Sequence, residues 1–359
     1  MSAEGPRTDA GITDMPRDWF IYQGTGRPLR DVSLRTALPD PPPWRTFNGE
    51  PTLARPEEDP GELDRRLGPV DFRQQRAVNL AEVIAVNTAL FLRRPLLVTG
   101  RPGVGKSTLP YQVTRELHLG PVLRWPINSR TTLKSGLYDY DAISRVQEAR
   151  RRVEASGDEP ETEIGDYLQL GPLGTALLPY ELPRVLLIDE FDKGDADLAN
   201  DLLDVLEEGS YKIPELYRIR TRSPIVNVPA LDHDHPVPIA EGTVRCHAFP
   251  FIVITSNRER EFPPAFLRRC VQFEMPEPGP ERLADLLTAH FAGAADPHKD
   301  QLIKEFLSYR KRHPVAADQL LNVLYLAIQR PGGKDDSTDQ AWRQILDVVL
   351  QRLDAANVV

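Results

Sequence analysis

A glycine-rich run, Gly100-Arg-Pro-Gly-Val-Gly-Lys-Ser107, carries the clearest chemistry in the sequence. It matches the pattern GxxxxGK[ST] and stands between an apolar run and a helical pattern, which is the context that a phosphate-binding loop requires. Glycines let the backbone N–H groups of such a loop surround phosphates, the lysine neutralises phosphate charge, and the serine hydroxyl binds Mg²⁺. The pattern predicts a nucleotide site with contacts from Gly100, Pro102, Gly103, Val104, Gly105, Lys106, Ser107 and Thr108.

Two adjacent acids, Asp189 and Glu190, follow the apolar run 185–188. A carboxylate at the end of a strand near the loop can bind Mg²⁺, so Asp189 is predicted to be a metal ligand together with Ser107. Glu190 is predicted to polarise an attacking water. The second acid favours a hydrolase, because a kinase transfers to a substrate hydroxyl and needs no base for water. The alternative is a solvated acidic pair at a strand end.

Two further polar groups follow the next apolar run, 251–254. Asn257 could orient the attacking water against the γ-phosphate, or it could simply belong to a turn. Arg269 could reach the nucleotide of a neighbouring subunit as an arginine finger, with Arg268 as the second candidate and a plain surface pair as the alternative. The predicted catalytic residues are therefore Lys106, Glu190, Asn257 and Arg269.

Short buried strands that alternate with helices must position these groups. The apolar runs predict strands at 95–99, 122–127, 185–188 and 251–255, and the helical periodicity predicts helices at 74–92, 109–117 and 195–208. This alternation is typical of a parallel α/β sheet flanked by helices. Pro110 is expected to kink the helix that follows the loop, because proline removes an i→i−4 hydrogen bond.

Composition sets the organisation of the chain. Hydrophobic residues make up 40% of the 359 residues, enough for a sizeable core, and 11 of the 34 prolines precede Val70. We predict a Pro-rich N-terminal extension over 1–69 and an α/β core over 70–276, with insertions at about 133–170 and 209–248. Helical periods at 281–292, 299–312, 316–329 and 338–353 predict a small all-α lid over 277–359.

Charge, cysteine content and apolar runs limit the function classes. The two cysteines form no metal-binding spacing, the start has no secretory apolar segment, and the apolar runs are too short to span a membrane. A cytoplasmic location is the expectation. A net charge of −9 argues against non-specific nucleic-acid binding. Asp232-His233-Asp234-His235 favours a solvated loop over a metal site, and Cys270 favours a buried small side chain over a reactive thiol.

The phosphate-binding loop, the Asp189-Glu190 pair, Asn257 and the Leu267-Arg268-Arg269 run, followed by a helical lid, resemble the AAA+ ATPase family over about 70–355. The insertion before Gly171-Pro-Leu-Gly174 and the run Asp189-Glu190-Phe-Asp-Lys193 look most like the MoxR-like group of the helix-2-insert clade. The resemblance implies a P-loop AAA+ core with a lid, ATP and Mg²⁺ as ligands, and a hexameric ring. It also implies a remodelled protein partner, often with a von Willebrand A domain, in some cases in bacterial conflict systems.

The same resemblance assigns roles by position. Asn257 matches sensor 1, Arg269 matches the finger, and Tyr211-Lys212 could project an aromatic into a central pore. Sensor 2 has no matching arginine within His313-Pro-Val-Ala-Ala317, so Arg312 or Lys311 is the candidate. Two alternatives remain open at this point: a nucleotide switch that assembles a signalling scaffold and hydrolyses slowly, and a McrB-like nucleic-acid motor.

Overall fold

The computed structural model describes residues 19–29, 33–70, 78–156 and 164–280, with the single residues 282, 283, 285, 322, 325 and 326. Within these ranges the α-helices are α1 Leu34–Ala37, α2 Pro60–Leu67, α3 Leu80–Leu92, α4 Leu109–Leu117, α5 Leu133–Leu137, α6 Ala142–Ser156, α7 Pro172–Ala176, α8 Leu198–Glu208, α9 Pro214–Ile219 and α10 Pro264–Leu267. Short 3-10 helices span Pro43–Arg45, Lys106–Thr108, Ile164–Tyr167 and Phe191–Lys193.

The strands in the same ranges are β1 Leu96–Thr99, β2 Val122–Pro126, β3 Tyr138–Tyr140, β4 Leu168–Leu170, β5 Val185–Asp189, β6 Ser210–Lys212, β7 Ile225–Val228, β8 Val237–Ala240, β9 Thr243–Arg245, β10 Phe251–Ser256 and β11 Val271–Glu274. Five of them form a parallel sheet in the order β11-β1-β10-β5-β2. The predicted parallel α/β core is therefore confirmed. The fifth strand, β11, was not predicted, because it is a half-exposed edge strand with only two apolar residues.

Two apolar clusters cover the two faces of this sheet, as the period of two in a strand requires. Leu96 and Val98 of β1 face a layer that includes α3 and α4, whereas Leu97 faces a layer that includes α7, α8 and the insertions. The strand residues on both sides are almost fully buried. At about 25 cal/mol per Å² of buried apolar surface, such a double layer dominates the stability of the core, and it leaves the strand ends free to carry polar groups.

The two insertions form small antiparallel units on the second face. In the first, β3 pairs with β4 around α6, with Tyr138 opposite Leu170. In the second, β6 pairs with β9, and β7 pairs with β8. Tyr211 of β6 is buried among the core side chains. The alternative that this aromatic projects into a pore is therefore excluded, because its ring contributes to the apolar core instead.

The N-terminal segment packs against the core along much of its described length. Asn87 of α3 accepts hydrogen bonds from the backbone N–H groups of Ile21 (2.9 Å) and Tyr22 (3.1 Å), and it donates one back to the carbonyl of Tyr22 (2.8 Å). The fully buried carboxylate of Glu116 in α4 accepts from the N–H groups of Gly24 (3.1 Å), Thr25 (2.7 Å) and Gly26 (3.1 Å), and also from Gln23. Burial raises the pKa of Glu116, and these hydrogen bonds oppose that rise.

Arg45 anchors a second part of the N-terminal segment. Its buried guanidinium donates to the carbonyls of Arg93 (2.7 Å), Leu206 (2.9 Å) and Glu207 (3.0 Å), and it lies over the ring of Phe249 at 4.6 Å. These groups cap the end of α8, whose last carbonyls lack partners within the helix. Burial lowers the pKa of Arg45. The extension is thus tied to the same helix end that lies beside Arg269.

The predicted lid, 277–359, falls for the most part outside the described residues, as do both candidates for sensor 2, Lys311 and Arg312. Residues 74–77 of the first predicted helix also lie outside them. The observed helix α3 begins after Asn79, whose side chain accepts hydrogen bonds from Ala81 and Glu82 as a cap. In the part of the chain that the structure describes, none of the helices is both long and apolar enough to cross a bilayer.

Candidate functional site

The glycine-rich loop leaves β1 at the carboxyl edge of the sheet. Gly100 has φ +150°, and a Cβ at that position would come within 2.9 Å of the carbonyl of Met275. Gly105 has φ +97°, a left-handed backbone that favours glycine. The chain then turns through the 3-10 helix Lys106–Thr108 into α4. Pro110 lies in the first turn of α4, where proline costs no i→i−4 hydrogen bond. The predicted kink is therefore wrong.

Lys106 points its ammonium into the loop. It donates to the carbonyls of Gly100 (2.8 Å) and Arg101 (2.9 Å) and to Oδ1 of Asn257 (2.7 Å). The side chain is buried, and desolvation lowers its pKa, against the opposing charges of Asp192, Asp189 and Glu190. β10 is hydrogen-bonded beside β1, which is why the residue after β10 reaches the loop that follows β1.

Asp189 collects hydroxyl groups at the end of β5. Its Oδ1 accepts from Ser107 Oγ (2.7 Å) and from Thr255 Oγ1 (2.8 Å), while its Oδ2 lies 3.3 Å from Arg124 Nη2. A serine hydroxyl and a carboxylate in direct contact are the oxygen donors that Mg²⁺ prefers. The two residues predicted as metal ligands are therefore adjacent, and their donor atoms fit that ion.

Glu190 extends from the same strand end in an uncommon backbone conformation. Its φ is +59°, in the left-handed region, and its N–H donates to Thr255 Oγ1 at 2.9 Å. The carboxylate, about half exposed, accepts from the ammonium of Lys193 at 2.8 Å. This ion pair raises the pKa of Lys193. A non-glycine residue at positive φ is uncommon and signals local strain that the surroundings impose.

Comparison with known proteins matches this geometry to a family. Residues 95–270 match the sequence model of the AAA domain of the dynein-related subfamily. Residues 95–270 form an AAA domain, the ATPase domain of AAA+ proteins. No curated protein gives a significant match to the sequence. The matched residues run from Pro95, just before β1, through Cys270, so they include every predicted catalytic and nucleotide-contacting residue.

Arg269 of the AAA domain lies apart from the nucleotide loop of its own chain. Its Nε is 3.2 Å from Oε2 of Glu207 at the end of α8, and its Nη1 donates to the carbonyl of Ala265 at 3.2 Å. The side chain is 41% exposed. Arg268 is also exposed, and its Nε donates to the carbonyl of Pro264. Both remain predictions for the finger, and neither contacts Lys106, Ser107 or Asn257 in a described interaction.

Four residues for which no role was predicted take part in the site of the AAA domain. They are Arg124, Asp192, Lys193 and Thr255. Thr255 contacts Asp189 because β10 and β5 are parallel neighbours, with Ile254 opposite Ile188. The sequence shows that the polar residue Thr255 lies two positions before Asn257. Only the order of the strands in the sheet reveals that its partner is Asp189.

The lesser signals have structural roles. Asp232 pairs with the fully buried Arg184, and His233 Nε2 lies 2.6 Å from the hydroxyl of Tyr180. Among the described residues no group of three or more His, Cys, Asp or Glu could hold a metal. Cys270 is buried and free, as expected, and burial raises its pKa to about 12. A thiol in that environment is not reactive at neutral pH.

Proposed function

We propose that this AAA+ ATPase hydrolyses Mg²⁺-bound ATP to remodel or activate a partner protein, as a member of the MoxR-like group. The observation that carries the proposal is the convergence of Lys106, Ser107, Asp189, Glu190 and Asn257 at one edge of the sheet, linked by hydrogen bonds of 2.7–2.9 Å. A binding protein needs the loop and a metal ligand, whereas hydrolysis also needs a base and a group that orients water.

The chain's own residues divide the work of binding. Backbone N–H groups of the loop 100–108 surround the phosphates, and Lys106 neutralises their charge. Ser107 and Asp189 would hold Mg²⁺ through their oxygens. When it is bound, that ion neutralises charge that develops on the phosphates. Thr255 keeps the carboxylate of Asp189 oriented by donating to the same oxygen that Ser107 contacts.

Glu190 and Asn257 divide the work of hydrolysis. Glu190 accepts a proton from the attacking water, and the Asn257 amide fixes the position of that water. The side chain of Glu190 is about half exposed and, among the described residues, pairs with Lys193, so rotation about its own bonds can bring it to a substrate. Arg269 completes the site of the next subunit in a ring, which is the proposed reason why it lies far from its own loop.

A protein partner is supported by the surface of the insertions. Ile143 (71% exposed) and Val146 (52%) lie three positions apart on α6, and Ile225 (63%) begins β7. Neighbouring exposed aliphatic side chains, such as Ile143 and Val146 on one helix, are typical of surfaces that contact another protein. The proposed partner binds there, and a von Willebrand A domain protein is the first candidate to test.

Steady-state ATPase assays test the proposal, with Glu190→Gln as the diagnostic variant. We expect the purified chain to hydrolyse ATP with Mg²⁺, and Glu190→Gln to bind ATP but to hydrolyse it at least about 10²-fold more slowly. Glu208→Gln, an exposed acid at the end of α8, is the matched control and should behave like the wild type. Native rates in Glu190→Gln would refute the assignment of the base. Mass in solution with and without ATP and Mg²⁺ tests the ring.

A nucleotide switch with slow hydrolysis is the second candidate, and the Lys193–Glu190 ion pair at 2.8 Å favours it. The ammonium occupies a carboxylate oxygen of the base, so this contact must break before Glu190 can reach a water, and basal turnover would be slow. Single-turnover and steady-state rates on the assembled form distinguish the two candidates. A remodeller turns over repeatedly and faster with its partner, whereas a switch completes about one turnover for each assembly.

A further inference from the structure

Asp192 is a buried carboxylate that neither the binding of phosphate nor the binding of Mg²⁺ requires. It lies in the 3-10 helix Phe191–Lys193, two positions after Glu190, and only 3% of its surface is exposed. Buried carboxylates are rare unless they are paired or hydrogen-bonded, because transfer out of water is costly. The presence of this one beside the acidic strand end therefore needs an explanation.

The contacts of Asp192 all lead to the end of β10. Its Oδ2 accepts the backbone N–H of Asn257 at 2.8 Å and the backbone N–H of Glu259 at 3.0 Å. Between them, Arg258 has φ +62°, a left-handed residue that tightens the turn, and its N–H donates to Ser256 Oγ at 2.9 Å. One carboxylate oxygen thus fixes both ends of the three-residue turn that begins with Asn257.

We propose that Asp192 is the positioning residue for Asn257: it holds the turn 257–259 against the Asp189-Glu190 strand end, so that Asn257 and the backbone of Glu190 keep a fixed separation. This inference rests on the proposed function of Glu190 and Asn257 in hydrolysis. A shift of about 1 Å in a catalytic group can cost roughly 10²-fold in rate, so a fixed separation has a direct catalytic value.

The second oxygen of Asp192, Oδ1, gives the carboxylate an additional effect, which the experiment must distinguish from the positioning of Asn257. Asp192 Oδ1 is buried, and no described residue donates a hydrogen bond to it. Its charge faces Lys106, whose three described acceptors, the carbonyls of Gly100 and Arg101 and the amide of Asn257, are all neutral. Any variant that removes the charge of Asp192 therefore also removes a negative charge that faces Lys106. This removal should favour the binding of phosphates.

Asp192→Ala and Asp192→Asn separate the two effects. Both variants remove the negative charge, so both should bind ATP at least as tightly as the wild type does. Only Asp192→Ala also removes the acceptor, whereas asparagine presents a carbonyl oxygen of the same shape to both N–H groups. We expect kcat to fall about 10²-fold in Asp192→Ala with KM unchanged or lower, and Asp192→Asn to recover most of kcat. Asp204→Asn, an exposed acid on α8, is the control for charge.

Hydrogen exchange provides a readout that does not depend on hydrolysis. Amide exchange over 256–260, followed by mass spectrometry on the free chain, should be faster in Asp192→Ala than in the wild type and close to the wild type in Asp192→Asn. If Asp192→Ala does not fold, Asp192→Glu replaces it, because it keeps the charge but displaces the acceptor by one methylene. It should lower kcat and increase exchange in the same segment.

Two results overturn the inference. One is wild-type kcat and exchange in the variant that lacks or displaces the acceptor. The other is an equal fall of kcat in Asp192→Ala and Asp192→Asn, which would assign the effect to charge alone. A wild-type chain without ATP hydrolysis would instead refute the proposed function. In that case the exchange experiment still decides whether Asp192 holds the turn.

Discussion

Lys106 donates a hydrogen bond of 2.7 Å from its side-chain ammonium to the amide oxygen of Asn257. An ammonium has three hydrogens, and the carbonyls of Gly100 and Arg101 accept the other two. A phosphate oxygen can therefore bind Lys106 only when one of these acceptors gives way. The carbonyls of Gly100 and Arg101 belong to the loop after β1, whereas Asn257 follows β10. Release of the Asn257 amide from Lys106 therefore couples the binding of phosphate to the end of β10.

Replacement of Asn257 should separate binding from hydrolysis. Asn257→Ala removes a competitor for the ammonium, so ATP should bind at least as tightly, while loss of the water-orienting amide should lower kcat about 10²-fold. Asn257→Asp should instead weaken ATP binding, because a carboxylate forms an ion pair with Lys106. Titration with a fluorescent nucleotide and steady-state kinetics measure the two quantities. An unchanged kcat in Asn257→Ala would show that the amide belongs only to a turn.

Arg269 can be tested by mixing two inactive chains. Arg269→Ala and Glu190→Gln should each be inactive alone, because every site in a uniform ring lacks one group. In mixed rings some sites combine an intact Glu190 with the Arg269 of a neighbour, so ATPase activity should reappear on mixing. Arg268→Ala mixed with Glu190→Gln is the control. Activity that stays absent in the first mixture, or appears in Arg269→Ala alone, rules out Arg269 as the finger.

Glu116 should stabilise the folded chain through the N-terminal loop. Glu116→Ala leaves the N–H groups of Gln23, Gly24, Thr25 and Gly26 without their acceptor, at an expected cost of about 2–4 kcal/mol in the free energy of unfolding. Glu116→Gln keeps a neutral acceptor and should cost less. Urea denaturation gives both values, and Glu57→Ala, an exposed acid in the same segment, should lie within about 0.5 kcal/mol of the wild type.

We expect the folded chain to lose stability in mild acid because of the environment of His233. Burial lowers the pKa of His233 from its ordinary value of 6.5, with Arg184 adding to this effect and Asp232 and Asp234 opposing it. Because the unfolded chain then binds more protons, the stabilising contribution of this neutral ring, fully present above pH 6.5, declines as the pH falls towards the folded value.

His233→Gln cannot titrate but can still bond to the hydroxyl of Tyr180. We expect its melting temperature to fall less than that of the wild type between pH 7 and about 5.5. His235→Gln, an exposed ring in the same loop, should show the wild-type slope. Identical slopes in all three chains would mean that His233 keeps its ordinary pKa.

Glu190 gives a prediction about strain. At φ +59° a glycine has no Cβ to clash, so Glu190→Gly should exceed Glu190→Ala by about 1 kcal/mol in the free energy of unfolding. Neither variant should hydrolyse ATP. Urea denaturation of the pair measures the difference, and an Ala variant as stable as the Gly variant would show that the backbone relaxes without cost.

The strand ends were predictable from sequence because apolar runs there change abruptly to polar residues, as at Asp189 and Asn257. The contact of Thr255 with Asp189 was not predictable, since it depends on which strands are neighbours in the sheet. No local pattern in the sequence indicates the order of the strands. Asp192 shows the same limit: its partners are backbone groups 65 and 67 positions away. The aromatic residues Phe20 and Tyr22 suggested that parts of the N-terminal segment dock, but the partners were hidden, because the segment is held by hydrogen bonds to Asn87 and Glu116 rather than by a periodic apolar face.

The long reach of the N-terminal contacts has a consequence for biosynthesis. The carbonyl of Gly49 lies 3.1 Å from His247 Nδ1, a partner 198 positions later in the chain, and Phe47 stacks on Phe249. A ribosome adds about 5–20 residues each second, so this segment emerges roughly 10–40 s before its docking surface exists. Proline has no N–H with which to pair strands. Pro39, Pro41, Pro42, Pro43 and Pro51, which lie close to Phe47 and Gly49 in the sequence, therefore suit a segment that is made before its docking surface and must not aggregate in the meantime.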